Sequence, residues 1–295
     1  LNRRLKLHHA EGESMSTAEL PRLNGIIKCF ENPQVAFVGS GAADGLGQHD
    51  GTLFEMEHGP YDISELQRGL QSMLDRRQIA ESGSIAPKVT PIVRIPPNQG
   101  ASNWIAKQVL DIGLYGIIWP PIDTVEEAYN DVAAMRYPKR TGHPLREPFG
   151  KRGDAPGRAA AYWGVTGPEY YARADLWPLA PRGEIICMLM IESPEGIKNL
   201  PKMLEEVPGI GVILTGEGDL SQEWGAPRLY DHPEVQAGVR EILDVCKAQN
   251  VPNGWFHTTM DNVEQIVADG YRLLMSGSTR SYTLLHKGRA AAGRN

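Results

Sequence analysis

Short apolar runs recur along the chain from residue 35 onward, and stretches with a helical period lie between them. The strand-like runs cover residues 35–40, 52–57, 89–95, 115–119, 185–191, 210–214, 251–256 and 271–276. The helical period covers residues 64–77, 104–110, 124–136, 195–206, 233–249 and 261–269, with Asp123 as the expected cap of the third helix. Runs that are apolar throughout are typical of parallel strands covered by helices. Eight strands alternating with helices favour a (β/α)8 TIM barrel of the α/β class over an open doubly wound sheet.

Two segments depart from this rhythm. Residues 1–24 show no regular pattern, and we expect an N-terminal extension there that is disordered or not native to the protein. Residues 137–182 are rich in proline, glycine and arginine and predict a long loop. Residues 25–295 are therefore expected to form a single barrel domain around that loop. Gly39-Ser-Gly41 lacks the third glycine of a dinucleotide-binding turn, which argues against a nucleotide cofactor.

Composition narrows the class of protein. A hydrophobic content of 41% and a charged content of 22% are those of a soluble globular protein. The net charge of −6 gives no electrostatic basis for binding nucleic acid or an anionic membrane surface. Cys29, Cys187 and Cys246 lie far apart and predict reduced, buried thiols of a cytoplasmic protein, without the spacing of a metal site.

Two acidic residues follow apolar runs at the expected carboxyl ends of consecutive strands. Glu192 comes directly after residues 185–191, and Asp219 follows residues 210–214 through Thr-Gly-Glu-Gly. The carboxyl ends of barrel strands form the face on which these folds carry their active sites. Two carboxylates there suit a hard divalent cation with positions left for water and substrate. The alternative is that Ser193-Pro-Glu and Asp219-Leu-Ser only cap the next helices.

Two further side chains are expected at the same rim. His58 follows the second strand and precedes Gly59-Pro60, so its ring should project from a tight turn as an acid or base. Arg94 ends the third strand, where a guanidinium can bind a carboxylate and stabilise an oxyanion. A ring satisfied by nearby backbone and an ion pair with a barrel glutamate are the respective alternatives. Because no lysine ends a predicted strand, a covalent Schiff-base mechanism is disfavoured.

Several of these segments resemble the HpcH/HpaI aldolases, which are divalent-metal-dependent (class II) pyruvate aldolases and include macrophomate synthase. The matching segments are Glu57-His-Gly-Pro-Tyr-Asp62, Val93-Arg94, Ile191-Glu192, Gly216-Glu-Gly-Asp-Leu-Ser221 and Arg136-Tyr-Pro138. They occur in the family's order over roughly residues 25–285. The resemblance adds an expected activity to the fold predicted above.

What the resemblance implies is a metal-dependent carbon–carbon lyase. Glu192 and Asp219 would hold Mg²⁺ or Mn²⁺, with Co²⁺ or Zn²⁺ also possible, and Arg94, Gly218 and Asp219 would contact the substrate. His58 would transfer protons through ordered water. The implied reaction is reversible aldol cleavage of 4-hydroxy-2-oxo acids to pyruvate and an aldehyde through a metal-stabilised enolate, with oxaloacetate decarboxylation as a side activity. A trimer or hexamer is expected, with a C-terminal helix within residues 279–295 exchanged between subunits.

The chain also departs from the family at positions near the expected site. Glu55 stands where an aspartate usually partners the histidine in proton transfer. We expect Glu55 to take this catalytic role, although its longer side chain either reaches the histidine differently or does not reach it. Glu217 replaces a proline before the second metal ligand and either joins the metal site or points away. Trp119 and Trp255 are bulkier than usual and are candidates to contact a larger acceptor, the alternative being that both are packing residues.

Two other functions remain open. The basic loop 136–158 could bind the nucleotide of a CoA thioester, as in malyl-CoA or citryl-CoA lyases, or it could be solvated or contact another subunit. The changes at Glu55 and Glu217 could instead leave a catalytically silent barrel. Small 2-oxo acids and aldehydes, without nucleic acid or membrane, are the expected partners.

Overall fold

Parallel strands close into a barrel in the computed structural model, which describes residues 21–44, 47–97, 103–276 and 282–294. Within these ranges the strands are β1 (Ala36–Ser40), β2 (Gly51–Glu55), β3 (Thr90–Arg94), β4 (Gly116–Trp119), β5 (Leu176–Trp177), β6 (Ile185–Ile191), β7 (Ile210–Thr215), β8 (Asn253–Trp255) and β9 (Leu273–Met275). The ring runs β1-β2-β3-β4-β6-β7-β8-β9 and closes from β9 back to β1. The short β5 pairs only with the first two residues of β6. The predicted (β/α)8 barrel is therefore confirmed, with all eight expected strands in place.

Helices follow the strands around the outside of the barrel. They are α1 (Gly25–Glu31), α2 (Gly41–Asp44), α3 (Ile63–Ser72), α4 (Arg76–Ser82), α5 (Asn103–Asp111), α6 (Val125–Ala134), α7 (Gly157–Trp163), α8 (Gly167–Arg173), α9 (Pro194–Glu206), α10 (Glu217–Glu223), α11 (Pro233–Ala248), α12 (Val263–Asp269) and α13 (Thr283–Ala291). No helix within the described ranges is both long and apolar enough to cross a membrane.

Two helix predictions need correction. The helix expected over residues 64–77 is divided into α3 and α4, because Asp75 accepts hydrogen bonds from Arg77 N and Gln78 N and starts a new helix. The expected cap of α6, Asp123, is wrong: Thr124 accepts from Glu127 N at 3.2 Å and forms a capping box with that residue. Asp123 instead accepts a hydrogen bond from the Ser193 hydroxyl.

The long loop after β4 is more ordered than its composition suggests. Residues 137–182 contain α7, α8 and β5, none of which the sequence pattern predicted. Arg136 holds this segment from the barrel side, since its fully buried guanidinium donates to Asp175 at 2.7 and 3.1 Å. The same side chain donates to the carbonyl oxygens of Leu145 and Pro148, each at 2.7 Å. One buried arginine thus ties three parts of the excursion together.

The buried apolar side chains form two clusters, one on each face of the strands. The cluster inside the barrel includes Ile118, Met188 and Met190, and the helix α1 contributes Ile26 and Phe30 to it where the strands begin. The cluster between barrel and helices includes Trp119 and Leu189 among others. Successive residues of a strand therefore face opposite sides, as strand geometry requires, and both sides are buried. This parity decides which strand-end side chains reach the barrel mouth.

Both ends of the described chain contact the barrel. Leu23 and Asn24 are buried, and their backbone N–H groups donate to the Glu184 carboxylate, whereas residues 1–20 lie outside the described residues. At the other end, α13 packs against α12, and Arg294 forms a bidentate ion pair with Asp50 at 2.8 Å. The helix thus lies on its own barrel in the single chain. The trimer or hexamer and the exchange of residues 279–295, of which 279–281 and 295 are not described, stay predictions.

Candidate active site

A cavity of about 300 Å³ opens where the strands end. Its lining comes from the last residues of five strands and from the segments that follow them, namely His58, Arg94, Met190, Glu192, Thr215, Gly216, Gly218, Asp219, Gln222, Arg228, Tyr230, Phe256 and His257. Five residues that the sequence placed in the site (His58, Arg94, Glu192, Gly218 and Asp219) line this one cavity. The barrel brings them together from positions far apart in the chain.

Glu192 and Asp219 meet at the mouth. Glu192 is 5% exposed and follows β6, while Ser193 caps α9 by accepting from Gly196 N at 2.9 Å. The capping alternative is therefore right for Ser193, and Glu192 itself takes no part in that cap. Asp219 lies in the first turn of α10, and Gly216 takes the cap position without a side-chain hydrogen bond, so Asp219 does not cap that helix either. A Cβ at residue 216 would collide with the Glu192 carboxylate, which makes glycine necessary there.

The environment of Glu192 favours its protonated form. Burial raises the pKa of this carboxyl to about 9, and the charges of Asp219 and Glu57 add to the effect. Arg94 acts in the opposite direction but does not cancel it. A hydrogen bond between the side chains of Glu192 and Asp219 acts in the same direction as burial. Two carboxyl groups held together at a buried position in this way suit a bound cation, whose charge would favour the ionised form of Glu192.

Arg94 lies between two glutamates. Its guanidinium contacts Glu55 Oε2 at 2.6 and 2.8 Å and Glu57 Oε2 at 2.9 Å. Burial raises the pKa of Glu57, and the charge of Arg94 opposes that shift. The ion pair with a barrel glutamate that was the alternative for Arg94 is thus present. Both pairs fix the direction of the guanidinium, which still lines the cavity beside Met190.

His58 is positioned by a turn that Glu55 stabilises. Glu55 Oε1 accepts the backbone N–H of Glu57 at 2.8 Å and of His58 at 3.2 Å, so this carboxylate contacts the chain and Arg94 rather than the imidazole. The carboxylate nearest the imidazole is Glu57, with Oε2 3.5 Å from His58 Nε2. The ring is 65% exposed. The sequence placed Glu57 within the segment 57–62 that resembles the family, but assigned it no catalytic role.

The two tryptophans assigned to the substrate do not line the cavity. Trp119 is fully buried, belongs to the outer cluster and donates from Nε1 to Met135 Sδ at 3.2 Å. Trp255 is 8% exposed and packs edge-on against Tyr271 at 5.2 Å. Their expected substrate contacts are corrected to packing, because each side chain has the outward parity of its strand. Phe256, next along the chain, faces the cavity instead.

A second acid–histidine pair was not anticipated. Glu217, 4% exposed, contacts His257 Nδ1 through Oε1 at 2.6 Å. The His257 ring also stacks on Tyr230 at 5.1 Å between centroids. Glu217 is therefore directed towards His257 rather than towards the Glu192–Asp219 pair. The only sign of this pair in the sequence was Glu217, an acidic residue in place of the usual proline. The sequence did not show that residue 257 would be its partner.

The donor set suits a divalent cation with few protein ligands. Within the described part of the chain, no group of three or more histidine, cysteine, aspartate or glutamate side chains has the spacing of a metal site. Glu192 and Asp219 provide two hard oxygen donors, and a cation would displace the proton that the raised pKa of Glu192 favours. The residues present thus fit a hard divalent ion that completes its coordination with water and substrate.

Comparison with known proteins identifies a family for this chain and related aldolases. The sequence profile described as HpcH/HpaI aldolase/citrate lyase matches residues 44–284. A 2-keto-3-deoxy-L-rhamnonate aldolase of Klebsiella pneumoniae is 32% identical over 238 residues, covering 80% of this chain and 77% of the relative. A 5-keto-4-deoxy-D-glucarate aldolase of Escherichia fergusonii is 30% identical over 235 residues, with coverages of 80% and 77%.

The fold has solved counterparts. The crystal structure of an HpcH/HpaI aldolase/citrate lyase family protein from Burkholderia cenocepacia superposes with a TM-score of 0.70 at 24% identity. The match covers 90% of this chain and 97% of that one. At this identity the likeness concerns the fold, whereas the assignment to a family comes from the sequence matches.

Proposed function

This chain belongs to the HpcH/HpaI aldolase/citrate lyase family, and we propose that it is a divalent-metal-dependent aldolase. The proposed reaction is reversible cleavage of a 4-hydroxy-2-oxo acid to pyruvate and an aldehyde. The observation that carries the proposal is the contact of buried Glu192 with Asp219 in a cavity that Arg94 also lines. The names of the relatives, which are aldolases of keto-deoxy sugar acids, support the substrate class.

Glu192 and Asp219 would hold the cation, for which Mg²⁺ and Mn²⁺ are the leading candidates. A bound divalent ion supplies Lewis-acid polarisation of the 2-oxo group. Arg94 contributes a fixed positive charge for the negative charge that develops on the 2-oxo oxygen. Its orientation is set before substrate binds, because Glu55 and Glu57 both contact the guanidinium. Because the charge is already oriented, no side chain has to be reorganised during the reaction. Such preorganised charges are often the largest contribution to lowering the activation barrier.

Proton transfer is assigned to His58 and Glu57. In the cleavage direction the 4-hydroxyl loses its proton, the bond between C3 and C4 breaks, and its electron pair passes to the enolate of pyruvate. Protonation at C3 then gives the methyl group of pyruvate. His58 takes and returns these protons through water, and Glu57, 3.5 Å from Nε2, orients the ring. Glu55 acts indirectly: it stabilises the turn that carries His58 and orients the guanidinium of Arg94.

The structure supports an aldolase over the CoA-thioester lyase that the sequence left open. Most of the basic side chains in residues 136–158 are engaged internally: Arg136 and Lys139 with Asp175, Arg146 with Glu147, Lys151 with Asn130, and Arg152 with Asp111. Only an uncommitted cluster of positive charge would attract the nucleotide phosphates. The basic side chains of residues 136–158 therefore serve mainly to stabilise the packing of residues 137–182 against the barrel.

The test is aldol cleavage measured with and without metal. EDTA should abolish pyruvate release, and Mn²⁺ or Mg²⁺ should restore it in the wild-type protein. Glu192→Gln and Asp219→Asn should remain inactive after metal is restored. Glu195→Gln, an exposed glutamate in the first turn of α9, is the matched control and should retain full activity. Activity that survives complete metal removal would contradict the proposed mechanism.

Deuterium exchange at the methyl group of pyruvate separates the proposal from a silent barrel. Enolisation needs no acceptor aldehyde, so the exchange reports the enolate step alone. We expect metal-dependent exchange that Arg94→Ala lowers strongly. Absence of exchange under every metal condition would show that the Glu55 and Glu217 changes leave the barrel without this chemistry.

A further inference from the structure

The pair of Glu217 and His257 lies at the cavity but has no role in the proposed mechanism. Glu217 Oε1 is 2.6 Å from His257 Nδ1, and Glu217 is buried whereas the ring of His257 lines the cavity. The two residues come from different parts of the barrel, since Glu217 begins α10 after β7 and His257 follows β8. A buried carboxylate that contacts one ring nitrogen of a cavity histidine is the arrangement that orients a catalytic base.

The orientation of the His257 ring is fixed by its neighbours. The ring of Tyr230 stacks on it at 5.1 Å between centroids and 23° between planes. Asn262 Nδ2 donates to the His257 carbonyl oxygen at 3.0 Å, which holds the backbone. A carboxylate accepts the Nδ1–H and so favours the tautomer in which Nε2 carries a lone pair. Since no group within the described ranges bonds Nε2 of this ring, that nitrogen is open to take a proton.

His257 lies across the cavity from the residues that the proposed mechanism uses. Arg94 ends β3 and His257 follows β8, and these two strands lie opposite each other in the ring of eight. Glu57 Oε2 is 2.9 Å from the Arg94 guanidinium and 3.5 Å from His58 Nε2, so His58 lies on the Arg94 side. The mouth thus carries a histidine with a glutamate beside it on each side.

The two histidines match the two proton transfers of aldol cleavage. In the proposed mechanism the enolate oxygen forms against Arg94, so C3, which adjoins the enolate carbon, lies on the side of His58. The 4-hydroxyl lies beyond the breaking bond, away from Arg94 and therefore towards His257. A histidine at each reacting atom removes the need to carry a proton from one side of the substrate to the other.

We propose that His257 is the base that takes the proton of the substrate's 4-hydroxyl, and that Glu217 positions it. The inference rests on the proposed aldolase function and narrows the role of His58 to the proton at C3. In cleavage the hydroxyl proton passes to His257 Nε2, the O–H electron pair forms the aldehyde C=O, and the C3–C4 pair passes to the enolate. His58 delivers a proton to C3 through water and regains one from solvent, while His257 releases its proton to solvent. Protons therefore balance over the cycle without a co-reactant.

The test compares two reactions of one preparation with Mn²⁺ present. Cleavage of 4-hydroxy-2-oxopentanoate requires both proton transfers, whereas deuterium exchange at the methyl group of pyruvate in D₂O requires only the transfer at C3. We expect His257→Gln to lower the ratio of cleavage to exchange by about 10²-fold, as the loss of a general base does. His58→Gln should lower both rates. Because both rates come from the same sample, their ratio is independent of folding yield.

Glu217→Gln tests the positioning role. The glutamine amide can donate to Nδ1 and favour the tautomer whose Nε2 is protonated, so we expect the ratio to fall by at least about tenfold. In His257→Ala, added imidazole should raise the ratio, since free imidazole can occupy the vacated place beside Glu217. His232→Gln, at the start of α11 and outside the cavity lining, is the matched control and should behave as the wild type.

The outcomes distinguish the two proposals. An unchanged ratio of cleavage to exchange in His257→Gln, whether both rates fall or neither does, would overturn the role of His257 and leave the aldolase intact. A wild-type protein that shows neither reaction under any metal condition would overturn the aldolase proposal and the role of His257 with it.

Discussion

Replacing Glu192 by glutamine is expected to make the metal-free protein more stable while abolishing its activity. Glu192 is buried, and its pKa is raised to about 9 because burial and the charges of Asp219 and Glu57 oppose ionisation. Glutamine has nearly the same shape, and its amide can donate to Asp219 as the protonated carboxyl does. The substitution therefore keeps the hydrogen bond and removes only the capacity to ionise.

The size of the effect follows from proton linkage. At pH 7 the folded protein keeps Glu192 protonated, whereas the unfolded chain ionises it with an ordinary pKa of 4.5. Ionisation favours the unfolded state by 1.36 kcal/mol for each pH unit above that value, which amounts to about 3 kcal/mol at pH 7. Since the unfolded state binds fewer protons than the folded state between pH 4.5 and 9, this contribution lowers stability as pH rises through that window. Relaxation of the exposed Asp219 side chain reduces the expected gain to about 1–3 kcal/mol.

The assay is urea unfolding in EDTA at several pH values between 5 and 8. Glu192→Gln should exceed the wild type in free energy of unfolding, and the difference should widen with pH. Glu195→Gln serves as the exposed control and should show neither change. Saturating Mn²⁺ should reverse the order, because only the wild type gains binding energy, about 2.7 kcal/mol at a concentration of 100 Kd. A glutamine variant that is less stable than the wild type at every pH, with an unchanged slope, would refute the account of a strained carboxylate pair.

Three further substitutions test the remaining assignments. Arg94→Ala should lower kcat by about 10²–10³-fold with a smaller effect on KM, since the charge acts in the transition state; a change confined to KM in steady-state kinetics would contradict this. Trp119→Ala should cost about 3–5 kcal/mol in thermal or urea unfolding and leave the ratio of rates on different aldehydes unchanged, because the side chain packs outside the barrel; an altered ratio would restore its substrate role. Arg136→Met should cost about 3–5 kcal/mol because it leaves Asp175 buried without its main partner; a loss below about 1 kcal/mol would show that the buried pair does not hold the loop.

The register of the strands explains why some site predictions were confirmed as members of the cavity and others were not. In a barrel both faces of each strand are buried, so the alternation of inward and outward side chains leaves no hydrophobic pattern in the sequence. Ile118 belongs to the inner cluster, and Trp119 therefore belongs to the outer one. The sequence offered no reason to expect the Trp119 side chain to point outward from the barrel rather than inward.

The acidic residues show the same limit in electrostatic terms. Glu55 and Glu57 both precede or adjoin His58, and sequence position alone could not say which carboxylate faces the ring. The structure directs Glu55 to Arg94 and to two backbone N–H groups, and leaves Glu57 beside the imidazole. Glu217 was ambiguous until the end of β8 brought His257 within 2.6 Å of it.

What the sequence by itself determined was the barrel, the end of the barrel that carries the site, and two carboxylates and one arginine at that end. These follow from local pattern, because strand length, helical period and residues at strand ends are encoded within a few neighbouring positions. What only the tertiary structure decided was which side chains meet: Glu192 with Asp219, Glu57 with His58, and Glu217 with His257. Each such meeting depends on the relative register of strands and loops from different parts of the chain, and a single sequence carries no direct record of that register.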